Sequence, residues 1–123
     1  MRSFQFAVDI VRLCRERLIA DPIMRRLAYQ LVDCAGSVGA NLEESGGGQT
    51  KRDFIAKQFV ALKEARESPF WLLVIIRAYP NIAPHVTSHL QESNELIAMI
   101  TASVMTAKSN PYRGSPPHVD DAV

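Results

Sequence analysis

The side chains best able to do chemistry lie near the middle of the chain. Lys63, Glu64, Arg66 and Glu67 set two carboxylates beside two cations. Such carboxylates act as general acid and base only where their surroundings push the two pKa values apart. The sequence around them writes no such environment, so a salt-bridge network within or between subunits is the favoured reading. Asn41, Glu43 and Glu44 stand near the end of one helical stretch, across a glycine turn from Lys57. Read functionally, they form a polar binding site. Read structurally, Glu43 or Glu44 pairs with Lys57, and Asn41 caps or bridges the helix ends. The structural reading is favoured, and Asn41, Glu43, Glu44, Lys57, Lys63 and Glu64 are expected to form a structural polar cluster.

The remaining reactive residues are scattered. His85 and His89 stand four apart, a spacing that holds a metal on one helical face. Val86-Thr87-Ser88 lies between them in place of a metalloprotease signature, and His118 is remote. With no third ligand, a surface pair on the first turn of the fourth helix is expected. Cys14 and Cys34 sit among apolar residues at helical spacing and read as buried free thiols rather than a disulfide. Phe70 and Trp71 offer rings that stack on bases, but on a helix they more often fill a core or a subunit interface. Gly46-Gly47-Gly48-Gln49-Thr50 precedes a helix and offers one anion a helix N-terminus, but it follows no strand, so it is not a nucleotide loop. No catalytic residue, metal or cofactor is expected, and the chain does not read as an enzyme.

Charge leaves one further possibility. The formal net charge is only +1, which does not announce a nucleic-acid binder. The cations are nonetheless uneven, since Arg2, Arg12, Arg15, Arg17, Arg25, Arg26, Lys51, Arg52, Lys57, Lys63 and Arg66 all fall within residues 1–66. Solvated helix faces are the simpler reading. Arg12, Arg15, Arg25 and Arg26 are the candidate nucleic-acid face.

These residues must be positioned by helices. Phe4, Ala7, Val8, Val11, Cys14 and Leu18 recur at three- and four-residue intervals, predicting a helix from about Ser3, its N-cap, to Ala20. Asp21-Pro22 restarts the chain as N-cap and first helical residue. Met24, Leu27, Ala28, Leu31, Ala35, Val38 and Leu42 form the second stripe. Gly36 and Gly39 inside that helix cost about 1 kcal/mol each relative to Ala, so close approach of another helix is expected there. The glycine run ends it, and Thr50-Lys51-Arg52-Asp53 resembles a capping box. A third helix over Lys51–Ala78 carries Phe54, Ile55, Phe59, Leu62, Ala65, Leu72, Leu73 and Ile76, with a kink expected at Pro69. Tyr79-Pro80-Asn81 turns the chain. The fourth helix, about Ala83–Lys108, carries Val86, Leu90, Ile97, Ile100 and Val104, widened by Leu96 and Met99.

The whole reads as an all-α, antiparallel up-down-up-down four-helix bundle over residues 1–109. Residues 110–123, with Pro111, Gly114, Pro116 and Pro117, read as a disordered tail. No apolar run approaches the roughly 20 residues of a membrane span, and no export signal is visible, so the cytoplasm is the expected compartment and no membrane partner is expected.

The run Ser37-Val38-Gly39-Ala40-Asn41-Leu42-Glu43-Glu44 is more specific than any periodicity. Asp53-Phe54-Ile55-Ala56-Lys57 comes after it, then Ala61-Leu62-Lys63-Glu64-Ala65-Arg66-Glu67 and Trp71-Leu72. Together they resemble the four-helix bundle family often encoded in intervening sequences of bacterial 23S ribosomal RNA genes, over roughly residues 4–105. The resemblance implies a left-handed bundle that assembles as a homo-pentamer, and a cellular role undefined for most members. A related branch, the accessory variability determinant of diversity-generating retroelements, is strongly basic and binds nucleic acid and a reverse transcriptase. The near-neutral balance here departs from that branch, and Pro69 departs from the helix-compatible residue usual at its position.

Two functions compete. One is a non-enzymatic homo-oligomeric scaffold or interaction protein whose partner is itself. The alternative is a nucleic-acid-binding accessory protein acting with RNA or DNA, or with a reverse transcriptase. The third helix favours the first. Phe54, Ala61, Ala65 and Leu72 make one apolar line and Ile55, Phe59, Leu62, Leu73 and Ile76 an adjacent one, a face wide enough for an intrachain core and a partner together.

Overall fold

Capping chemistry sets where the helices begin. In a computed structural model, which describes residues 1–47 and 50–109, Asp21 Oδ1 accepts from the N–H groups of Ile23 and Met24, each at 2.9 Å, and Pro22 takes the first helical position. These bonds satisfy donors that a helix start leaves without partners. They also hold the Asp21 carboxyl below the usual carboxylate range, Met24 most strongly. Thr50 Oγ1 accepts from Asp53 N at 3.0 Å, as the capping pattern predicts.

The described chain is all-α. Helix α1 spans Arg2–Leu13 and continues as a wider π turn over Cys14–Leu18; α2 spans Pro22–Gly46 and α3 Lys51–Ala78. A six-residue 3-10 helix, Pro80–His85, precedes α4, Thr87–Ser109. Helix α3 runs unbroken through Pro69, although proline has no N–H for the Ala65 carbonyl. The expected start of the fourth helix near Ala83 is corrected to Thr87. Pro80 and Pro84 fall in the segment before it, and the tighter 3-10 turns accommodate both. The expected tail over 110–123 lies outside the described residues, as do Gly48 and Gln49 of the glycine loop.

Sequential helices pack on one another, and α1 also packs on α4. Between α2 and α3 the partners run in opposite order: Asp21 meets Tyr79, Cys34 meets Ser68, Ser45 meets Gln58 and Glu44 meets Lys57. Between α1 and α2, Ser3 faces Gly39 while Cys14 Sγ reaches the Ala28 carbonyl. A Cβ on Gly39 would lie 3.7 Å from the Ser3 carbonyl oxygen. That is an ordinary van der Waals contact, and a Cβ on Gly36 would meet nothing within 4 Å, so the close approach expected at these two glycines is corrected: α1 passes beside Gly39, but no neighbour among the described residues requires either Cβ to be missing.

Apolar side chains collect in two clusters. The larger joins Phe6, Ile10, Leu13, Cys14 and Leu18 of the first segment to Met24, Ala28, Leu31 and Ala35 of α2. Leu72 and Ile75 of α3 close it with Ile82, Val86 and Leu96. The smaller holds Val38, Ala61, Leu62, Ala65, Ile100 and Val104, with nothing from α1. The reason is length: α1 begins opposite Gly39, so α2, α3 and α4 extend past it and pack as three helices.

The first stripe predicted from the sequence is corrected in part. Cys14 and Leu18 are buried, but the face turned inward is Ser3, Phe6, Ile10 and Leu13. Phe4 and Val11 stay 65% and 48% exposed. The helix already begins at Arg2, ahead of the expected cap, with Gln5 N donating to Met1 O at 3.0 Å. Ser3 is therefore an interior residue rather than an N-cap, and its buried Oγ has no hydrogen-bond partner among the described residues.

Leu72 is fully buried in the larger cluster. Leu72→Ala should lower unfolding free energy by about 2–5 kcal/mol, read by urea denaturation, whereas Phe70→Ala at an exposed position of the same helix should leave single-chain stability nearly unchanged.

Candidate interaction surfaces

No catalytic arrangement is assembled from the candidate acid–base residues. Lys63, Arg66 and Glu67 are exposed and Glu64 is half-buried on α3. Among the described residues no ion pair joins any of the four. The salt-bridge network expected within or between subunits thus has no member within the described residues: Lys63, Arg66 and Glu67 reach into solvent, while Glu64 and Glu67 lie near enough to Cys34 of α2 to raise its thiol pKa. Glu44 does pair with Lys57, Nζ to Oε1 at 2.7 Å, across the α2–α3 hairpin and in solvent. Glu43 lies beside it, exposed. Asn41 neither caps nor bridges: its Nδ2 donates to the Ser37 carbonyl at 2.9 Å, one turn back in the same helix. The half-buried amide reaches its own helix before it can reach the next.

Sequence pattern alone does not reveal one buried polar link. Gln58 Nε2 donates to Ser45 Oγ at 2.9 Å, and Ser45 Oγ donates to the Leu42 carbonyl at 2.8 Å. It fastens the end of α2 to the start of α3. A second feature beyond the reach of sequence is the ion pair of Arg2 with Glu92 and Glu95, at 2.8 and 2.6 Å, tying α1 to α4. Glu92 first, then Glu95, raises the Arg2 guanidinium pKa further, and Arg2 in turn holds the Glu95 carboxyl below its ordinary range. The partners are some ninety residues apart, and no spacing rule joins them.

The histidine pair is corrected in geometry. His85 ends the 3-10 helix while His89 lies in α4, so the two do not share one α-helical face. Both line a groove with Asp9, Arg12, Leu13, Glu16 and Arg17. Burial pushes the His89 imidazole below its ordinary pKa, against the opposing pull of Asp9. Among the described residues no group of three or more His, Cys, Asp or Glu side chains is placed to hold a metal.

The four arginines of the candidate nucleic-acid face are all exposed, but they do not share one groove. Arg12 lines the α1–α4 groove just described. Arg25 and Arg26 line another with Pro22, Tyr29 and Gln30, and Arg15 lines neither. The Arg25 Nε donates to the Ile19 carbonyl at 2.8 Å, fixing that guanidinium over the turn before α2. Tyr29 beside it is 58% exposed.

An apolar groove lies on α3, where Phe70, Leu73, Val74, Arg77 and Ala78 line a shallow trough. Phe70 is 57% and Leu73 42% exposed. Trp71 turns the other way and packs on the larger cluster, its ring edge-on to Phe70 at 4.9 Å. Phe59 is also exposed, with the Lys108 ammonium 5.0 Å above its ring. The second apolar line predicted for this helix thus divides: Leu62 is buried, Ile55 and Ile76 are half-buried, and Phe59 and Leu73 face out.

A sequence model of the family described as the 23S rRNA-intervening sequence protein matches residues 1–102. Among solved structures, the chain is similar to a protein of unknown function from the S23 ribosomal protein family of Bacteroides thetaiotaomicron. The two are 31% identical with a TM-score of 0.77, over 84% of this chain and 94% of that one. No functionally curated protein matches the sequence.

Both cysteines are free and buried. Cys34 Sγ lies 3.4 Å from Ser68 Oγ, and burial raises its pKa. Burial pushes the Cys14 thiol from 9.0 up to about 11, which keeps it protonated and unreactive near neutrality. A raised folded pKa means that the Cys14 contribution to stability is full below the unfolded value and is lost as the pH climbs through the folded one. Stability should therefore fall between about pH 9 and 11, and Cys14→Ala should flatten that fall in denaturant titrations. At pH 8 a thiol reagent should label neither cysteine until the protein is unfolded.

Proposed function

Because the chain belongs to the 23S rRNA-intervening sequence protein family, we propose that it works as a non-enzymatic, homo-oligomeric scaffold or interaction protein. We read the opposed helix pairings as an up-down-up-down bundle, and the assembly as a ring. The observation that carries this reading is the apolar surface left outside. Phe4, Val11, Phe59, Val60, Phe70, Leu73, Met99 and Met105 are each more than 40% exposed. Leaving such area wet costs about 25 cal/mol per Å², and cyclic closure covers it without open-ended growth. A ring of five is the size the family resemblance implies. Light scattering coupled to size exclusion should return a stable multiple of the 13.7 kDa chain, fivefold for the pentamer. A mass of one chain at micromolar concentration contradicts the oligomer. A stable dimer or tetramer contradicts the ring of five alone.

A second reading, binding of RNA or DNA, is favoured by one feature. Tyr29 presents an exposed ring in the groove that Arg25 and Arg26 line, and stacking beside cations is how unpaired nucleic acid is held. If it holds, replacing Arg12, Arg15, Arg25 and Arg26 together by Gln should weaken binding to all sequences alike, and the wild-type complex should weaken steeply with salt in a gel shift. Unchanged affinity removes these residues from the binding face.

A further inference from the structure

Two exposed helix faces of this chain match one another in spacing, charge and size. On α3, Arg66 and Arg77 stand eleven residues apart with Phe70 and Leu73 between them, all four exposed. On α2, Asp33 and Glu44 also stand eleven apart, with Gly36 and Ala40 between them, again all exposed. Eleven residues make three helical turns to within about 20°, so each charged pair brackets one continuous stripe about 16 Å long. One stripe has bases at its ends and large apolar side chains between; the other has acids at its ends and almost no side chain between.

Among the described residues nothing covers the α2 stripe. A Cβ on Gly36 would meet nothing within 4 Å, unlike Gly39, which stands against Ser3. A glycine inside a helix is unfavourable unless something approaches closely, and nothing among the described residues approaches Gly36. The α3 stripe is likewise uncovered, and its apolar trough is lined by Phe70, Leu73 and Arg77. Of the four charged residues, only Glu44 has an ion-pair partner among the described residues, the exposed Lys57. Exposed bridges of this kind are weak and leave Glu44 able to share a second cation.

We infer that the α3 stripe of one copy, Arg66-Phe70-Leu73-Arg77, docks on the α2 stripe of the next, Asp33-Gly36-Ala40-Glu44. The occupant of each face is a second copy of this chain. The bulky side chains fill the space over Gly36 and Ala40, and the two bases meet the two acids at either end. Two different faces meet, so the contact is head-to-tail and propagates around a closed ring. The pairing rests on the homo-oligomeric reading above and names its interface.

Charge reversal tests it on the full chain, with helicity by circular dichroism as the folding control. Arg66→Glu with Arg77→Glu should reduce the assembled mass to the 13.7 kDa of one chain, and Asp33→Lys with Glu44→Lys should do the same. The chain carrying all four changes restores opposite signs across the contact and should recover the assembled mass. A wild-type chain that is already monomeric overturns the oligomer and this pairing together. An assembled wild type whose mass survives either double reversal, or a folded fourfold variant that stays monomeric, overturns the pairing and leaves the oligomer standing.

Discussion

A surface helix turns one stripe of side chains away from water, roughly a third of its circumference. Two helices of this chain carry more apolar surface than one stripe can hold, and most of its architecture depends on which stripe faces inward. On α1 the winning stripe is Phe6, Ile10 and Leu13; on α3 it is Ala61, Leu62, Ala65, Leu72 and Ile75. The π turn at Cys14–Leu18 keeps Cys14 and Leu18 on the core as the first segment ends. The apolar residues of the losing stripes, from Phe4 to Leu73, become surface.

The length mismatch among the helices compounds this. Because α1 starts opposite Gly39, the ends of α2, α3 and α4 beyond it rest on a small cluster of their own. Polar bonds hold that end together as well: Gln58 reaches Ser45, and Lys57 reaches Glu44. The opposite end is larger and more apolar, sealed by Ile82 and Val86 around the chain reversal after α3. Among the described residues neither end encloses a pair of carboxylates or presents a reactive thiol to solvent.

Much of the fold is legible in the sequence because local rules dictate it. Asp21-Pro22 and Thr50 cap the helices as their side chains require, and of the predicted α2 stripe Met24, Ala28, Leu31, Ala35 and Val38 are buried while Leu27 and Leu42 are half-buried. The first helix is ambiguous because Phe4-Ala7-Val8-Val11 and Phe6-Ile10-Leu13 are both helical stripes, and periodicity cannot choose between them. The choice is made by Gly39 and α4, far away in sequence. The same limit hides the Arg2–Glu92–Glu95 link. For the polar cluster, the Glu44–Lys57 contact is a consequence of hairpin geometry. Asn41 obeys a local rule of its own by bonding back to Ser37, and Lys63 and Glu64 have no ion-pair partner among the described residues. Family membership is legible from the run Ser37–Glu44 and the motifs around Asp53–Lys57 and Ala61–Glu67, although a shared fold does not carry a function with it.

The central claim is that the losing stripes are covered by other copies. Hydroxyl-radical footprinting reads this directly, side chain by side chain, across a dilution series. Phe70 and Leu73 should be protected at high concentration and become labelled as the assembly dissociates, while buried Leu72 stays dark throughout. Labelling of Phe70 and Leu73 at a constant rate, equal to that expected of their exposure in a single chain, would contradict the account.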